Sequence, residues 1–259
     1  MPDVPPALLA LFAGLVGAAI GSFIGTVLVR LPEDRSILTG RSACDSCGTA
    51  IRPRDLVPLL SWAMLRGRCR SCSAPIGGWQ PGCEAAAALI GAVSVLLAPV
   101  GLAVPAMVFG WQLLLLGMID VRHLWLPRGL VALLAVSGAG FAAWRGWQAT
   151  SLTPLWTALA GGALGFVMLW SVARAYRVLR GRDGMGGGDP PLLGAIGLWI
   201  GPMGAIGAVI GASLTGMVAA LVMLLARRPV ASDTALPLGT LLAAAAWVIF
   251  LVGGFGESN

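Results

Sequence analysis

The sequence contains no lysine. All 17 basic side chains are arginine, set against 11 acids, for a net charge of +6. Schiff-base and other lysine chemistry is thereby excluded. Histidine occurs once, at His123, so a multi-histidine metal motif such as H-E-x-x-H cannot be built. Charge itself is scarce: 11% of the 259 residues, where a soluble domain carries about 25%. With 58% hydrophobic residues and a mean hydropathy of +0.88, the chain cannot cover a water-facing surface of its own. Soluble and disordered classes fall away, and an all-α polytopic membrane protein in contact with the lipid bilayer is expected. In such a protein the arginines report topology rather than a nucleic-acid surface, and no nucleic-acid partner is expected.

No positive charge precedes the first apolar run, Ala7 to Val29, and Arg30 follows it. A cleavable signal peptide has the opposite order, so this run reads as a first spanning helix. A span needs about 20 mostly apolar residues. Further candidates lie near 102–119, 129–147, 154–173, 204–226 and 235–254, with a shorter one near 84–98. The stretch 190–226 is too long for one crossing and contains Gly201-Pro202. Proline removes a backbone donor and restricts the residue before it, so a break is expected there. That leaves a short segment near 190–201 and gives about eight segments in all.

Arginine placement supports this count. With the N-terminus outside, the inner loops are 30–83, 120–128, 174–189 and 227–234. They hold 16 of the 17 arginines, all but Arg145. Without the break, Arg227 and Arg228 fall on the wrong face, against the positive-inside rule. The many glycines within the spans read as sites of close helix packing.

The longest polar stretch, 30–83, holds Cys44, Cys47, Cys69 and Cys72 as two C-x2-C pairs with 21 residues between them. Two such pairs can supply the four thiolates of a tetrahedral zinc site. A loop this small has little hydrophobic core, so a metal would be its main source of folding energy. A zinc bound by four cysteines has no open position and is structural. Two redox pairs or unrelated free thiols are the alternatives. Cys83 is left over and reads as a small buried residue near a helix start.

Two acids differ from the rest. Asp120 ends the apolar run that begins at Trp111, and Asp189 follows Gly186-Gly187-Gly188. Both are expected at or just below the inner face, where ionisable groups are costly. Two carboxyls in one site of low polarity share a proton. The ionised member can then take a proton from water while the protonated one polarises an amide carbonyl. The glycines allow a tight turn before Asp189. The plainer alternative is that each aspartate caps a helix or pairs with arginine; Asp189 before Pro190-Pro191 has the form of an N-cap. His123 could share the helical face of Asp120. Rhomboid-like Ser/His chemistry would need His123 with a serine such as Ser213, and no motif surrounds that pair.

Taken in order, these residues resemble the type IV prepilin leader peptidase family. Gly21-Ser22-Phe23 with Arg30-Leu31-Pro32 is similar to the family's opening G-S-F…R-L-P. Arg41-Ser42-Ala43-Cys44, Pro58-Leu59-Leu60-Ser61-Trp62, Leu65-Arg66-Gly67-Arg68-Cys69 and Pro75-Ile76 resemble its cytoplasmic domain, and Glu84 a glutamate that follows it. Asp120 with Leu126-Pro127 resembles the first aspartate motif, and Gly184-Met185-Gly186-Gly187-Gly188-Asp189 the G-x-G-D motif of the second. The match runs across most of the chain.

The resemblance implies a bacterial inner-membrane aspartic endopeptidase. Such an enzyme cuts the leader from prepilins or pseudopilins on the cytoplasmic side. Asp120 and Asp189 would be catalytic, and Cys44, Cys47, Cys69 and Cys72 would hold structural zinc. Members with the cysteine domain also N-methylate the new terminal residue with S-adenosylmethionine. The implied domains are a first helix at 1–29, a cytoplasmic four-cysteine domain at 30–83 and a peptidase domain at 84–259.

The chain departs from the family pattern at several places. Gly25 stands for Asn, Asp45 for the proline inside the first Cys pair, Arg128 for Asp, and Pro191 for Lys. Leu236-Pro237-Leu238-Gly239 lacks the usual second proline. These departures bear on methylation and substrate positioning. Competing readings are a leader peptidase without methyltransferase activity and a non-catalytic membrane scaffold or transporter whose zinc loop docks a partner.

Overall fold

The computed structural model describes residues 5–37, 39, 41–44, 46–99, 101–181, 184–226 and 237–253. Asp45, Arg182, Arg227, Arg228 and Leu236 lie outside them, as do both ends of the span expected at 235–254. Among the described residues, β structure is confined to two isolated antiparallel bridges, Ala43 with Ala50 and Arg68 with Pro75.

The helices are α1 (Pro6–Arg30), α2 (Leu60–Met64), α3 (Trp79–Leu97), α4 (Ala103–His123), α5 (Arg128–Ala149), α6 (Thr153–Arg180), α7 (Asp189–Leu225) and α8 (Leu238–Leu251). Six of them, α1 and α3 to α7, are long and apolar enough to cross a membrane, and α8 is a shorter apolar helix. The 37 residues of α7 are interrupted at Gly201, whose φ of 69° and ψ of −176° belong to a region open essentially to glycine alone. Pro202 follows, with no N–H to give. The expected break is therefore present, and dividing α7 there yields eight apolar segments.

Two boundaries differ most from the sequence expectation. The helix expected from about residue 84 starts at Trp79, because Pro81 sits in its first turn, where a missing N–H is harmless. The helix expected to end at 173 runs to Arg180 and stops at Gly181 in the left-handed conformation. Arg177 and Arg180 lie in that last turn, where positive charge complements the helix dipole.

The chain forms two compact units, Met1–Leu97 and Ala98–Asn259. In the first, α1 lies against α3 through small residues. A Cβ on Gly17, Gly21 or Gly91 would overlap the carbonyl of Ala87, Cys83 or Ala13 respectively. Lipid tails give no hydrophobic drive to helix pairing, so such close backbone approach is what holds helices together. Cys83 is fully buried in this contact, as the sequence implied.

In the second unit α6 lies along α7 by the same device. Cβ atoms on Gly161 and Gly197 would each overlap the other's carbonyl, and one on Gly165 would stand 2.6 Å from the Leu193 carbonyl oxygen. Its centre is a ring cluster drawn from four helices. Phe109 stacks on Trp199 at 4.8 Å, Phe141 stacks on Trp199 at 5.1 Å, and Phe250 packs on Phe109 at 5.3 Å. The Trp199 indole N–H donates to the Leu134 carbonyl at 3.0 Å, so the polar edge of the ring is satisfied inside the core.

Candidate active site and metal centre

Asp120 occupies the last turn of α4. The helix ends three residues later, where Leu124 adopts a left-handed conformation and its N–H returns to the Asp120 carbonyl at 2.8 Å. The chain then runs through Leu126 and Pro127 into α5. Asp189 opens α7 behind the glycine run, and its N–H donates to the Gly186 carbonyl at 3.2 Å. Both acids expose only 6% of their surface. The alternative N-cap role for Asp189 is not realised. Gly188 is the N-cap, Asp189 is the first helical residue, and no side chain caps this end. Helix capping does occur at Asp120, but on a distant helix. Its Oδ2 accepts from the Thr240 N–H at 2.9 Å, in the first turn of α8.

The acid-bearing ends converge through Leu126. A Cβ on Gly188 would lie 2.7 Å from the Leu126 Cβ, and one on Gly239 would lie 3.3 Å from the Leu126 Cδ1. Asp189 and Asp120 are thus brought to opposite sides of one side chain, although they stand 69 positions apart in sequence. A Cβ on Gly186 would stand 3.1 Å from the Asp189 Oδ2, so the glycine run closes tightly over that carboxylate. This arrangement, two buried carboxyls at helix ends that share Leu126 as a neighbour, is one that can hold and polarise a single water. His123 and Ser213 are both exposed and take no part in it. Thr240 was not legible as a site residue, because nothing in its local sequence marks a partner 120 positions away.

The four cysteines form a separate cluster in the first unit. Their sulfur atoms all lie within 4.8 Å of one another, and Cys44 Sγ is 3.8 Å from Cys72 Sγ. Thiolates around tetrahedral zinc, with Zn–S near 2.3 Å, stand about 3.8 Å apart. The donor set therefore fits zinc.

Each pair is held by the same backbone turn. Cys44 N–H donates to the Thr49 carbonyl at 3.0 Å and Gly48 N–H to the Cys44 carbonyl at 2.8 Å. Cys69 N–H donates to the Ala74 carbonyl at 2.8 Å and Ser73 N–H to the Cys69 carbonyl at 2.9 Å. Gly48 and Ser73 hold matching positive φ values of 68° and 58°. The Thr49 hydroxyl, 3.3 Å from Cys47 Sγ, holds that thiol down to about 6, which favours the metal-binding thiolate. Arg70, inside the second pair, grips Asp55 with two nitrogens at 2.7 to 3.2 Å. This pairing lowers the Asp55 carboxyl below its usual range.

Residues 15–98 match the bacterial peptidase A24 N-terminal domain, and residues 107–221 match the type IV leader peptidase family. The chain is 34% identical to a prepilin leader peptidase/N-methyltransferase of Aeromonas hydrophila, over 92% of this chain and 89% of that one. It is 32% identical to the protein of the same name from Pseudomonas aeruginosa, again over 92% and 89%. It is also 32% identical to a type 4 prepilin-like proteins leader peptide-processing enzyme of Escherichia coli, over 84% and 86%. No solved structure matches. A multi-pass helical membrane protein with these two matched regions is a membrane peptidase. The chain belongs to the type IV prepilin leader peptidase family.

Proposed function

We propose that this protein cleaves the leader peptide of prepilins or pseudopilins by activating one water between Asp120 and Asp189. The observation that carries this reading is the burial of both carboxyls at helix ends that meet through Leu126, within the region matched to the leader peptidase family. The ionised acid takes a proton from water as the oxygen attacks the scissile carbonyl. The other acid donates a hydrogen bond to that carbonyl and then protonates the departing amine. The apolar start of the pilin lies among the helices, and its basic leader stays on the inner side.

The arginine distribution supports an N-terminus outside and a cytoplasmic loop at 30–83. Cys44, Cys47, Cys69 and Cys72 hold a structural zinc that fixes this loop as a small domain, followed by the peptidase domain. The names of the relatives support a second activity, N-methylation of the new terminal residue with S-adenosylmethionine as donor.

The test is cleavage of a purified prepilin by the full chain in lipid. Asp120→Asn and Asp189→Asn should each leave the substrate uncut. Wild-type turnover by either variant overturns the assignment. Mass spectrometry of the product terminus, with and without S-adenosylmethionine, reads the methyl group directly.

A further inference from the structure

The first turn of α8 closes on the carboxylate of Asp120. Its N-cap, Pro237, has no side chain able to accept a hydrogen bond, so the early N–H groups need an acceptor from elsewhere. Asp120 supplies it: the Thr240 N–H donates to Oδ2 at 2.9 Å. The Thr240 hydroxyl lies 3.2 Å from the same oxygen and 2.8 Å from the Gly117 carbonyl oxygen. With one proton and two acceptors in reach, the hydroxyl is a shared donor, whereas the N–H points to Oδ2 alone. The approach is possible only because residue 239 is glycine. A Cβ there would stand 2.9 Å from Oδ2 and 3.1 Å from Cγ of Asp120, the first too close to persist and the second tight, so the carboxylate would have to move.

We propose that Gly239 is a positioning residue for Asp120: its missing side chain lets α8 bind Oδ2, leaving Oδ1 as the oxygen that faces the hydrolytic water. This rests on the reading of Asp120 as one of the two catalytic acids. An amide N–H can only donate, so Oδ2 must offer it a lone pair. The carboxylate plane is thereby set by a helix rather than by its own rotamer preference. In Gly239→Ala the added methyl meets the Asp120 carboxylate and Leu126, and the carboxylate must shift.

The experiment compares the wild type, Gly239→Ala, Gly239→Ala with Leu126→Ala, and Asp120→Asn in prepilin cleavage. Gly239→Ala should lower kcat by about tenfold, with KM within about threefold, as expected when a reacting group is pushed off its position. Leu126→Ala removes the other near neighbour of the new methyl and should not restore kcat. Restoration would mean that crowding at Leu126 caused the loss, and would overturn the proposal. Wild-type kcat in Gly239→Ala would overturn it as well. Wild-type cleavage by Asp120→Asn would remove the reading beneath it, a separate failure. Should Gly239→Ala melt too low for assay, Asp120→Ala should lower Tm less in the Gly239→Ala background than in the wild type, because the clash leaves together with the hydrogen bond. Equal losses in the two backgrounds count against the proposal.

Discussion

The carboxylate of Glu84, buried on α3, accepts a 2.7 Å hydrogen bond from the N–H of Leu59. Leu59 has a φ of 60° and a ψ of −46°, outside the regions open to a side-chain-bearing residue. Glu84 also receives the Gln80 amide at 3.3 Å, and that same amide reaches Ser22 on α1. The turn leading into α2 is therefore pinned to the membrane helices of its own unit by one acid. Glu84→Ala removes the partner of the strained turn and should cost about 1–3 kcal/mol. Glu84→Gln keeps an acceptor and should cost less. Thermal unfolding and protease nicking at 58–64 measure both, and equal Tm values for the two variants would contradict this account.

Zinc should be present at one equivalent per chain and lost in Cys47→Ser or Cys69→Ser. Structural zinc supplies on the order of 10 kcal/mol to small domains of this kind. Its removal should open the 41–76 segment to protease while the second unit's helices keep their circular dichroism. Metal analysis of the purified chain decides the stoichiometry, and a metal-free wild type with an intact loop would refute the assignment.

Acid should loosen the Asp55–Arg70 clasp. The carboxyl of Asp55 lies below its usual range because Arg70 bonds to its charged form. The pair's contribution is complete above the ordinary carboxylate value near pH 4 and disappears as pH falls through the lower folded value. Asp55→Asn should thus melt below the wild type at pH 6, and the gap should narrow as pH falls below the ordinary carboxylate value and close only below the folded one. A gap that does not change with pH would point to packing instead.

Gly197→Val should destabilise the second unit by more than about 2 kcal/mol, since its side chain meets the backbone of α6 at Gly161. Gly140→Ala, which meets open space, should be neutral. Denaturation in detergent compares the two. A neutral Gly197→Val would show that α6 and α7 tolerate separation.

The helices were legible in sequence because long apolar runs and arginine placement are properties of contiguous residues. Gly201-Pro202 announced its break for the same reason. The cysteine cluster followed from spacing, and Asp120 and Asp189 from the rarity of acids beside apolar runs. The N-cap reading of Asp189 failed by one position, because the glycine before it already fills the cap. The contacts of Asp120 with Gly239 and Thr240, and of Glu84 with Leu59, join residues far apart in the chain, and no local pattern encodes them. The length of α6 was underestimated because its last turns carry arginines, which end an apolar run without ending a helix.

The interruption in α7 has a cost that another helix must cover. From Asp189 to Ile200 the first segment rises about 18 Å, well short of a hydrocarbon layer of about 30 Å. Backbone carbonyls set free at such a depth find no water. The break instead lies under α6, where Thr157 and Gly161 approach Gly201 directly. The sixth helix thus serves as insulation for a severed strand of wiring, and anything that pried it loose would expose bare peptide to oil.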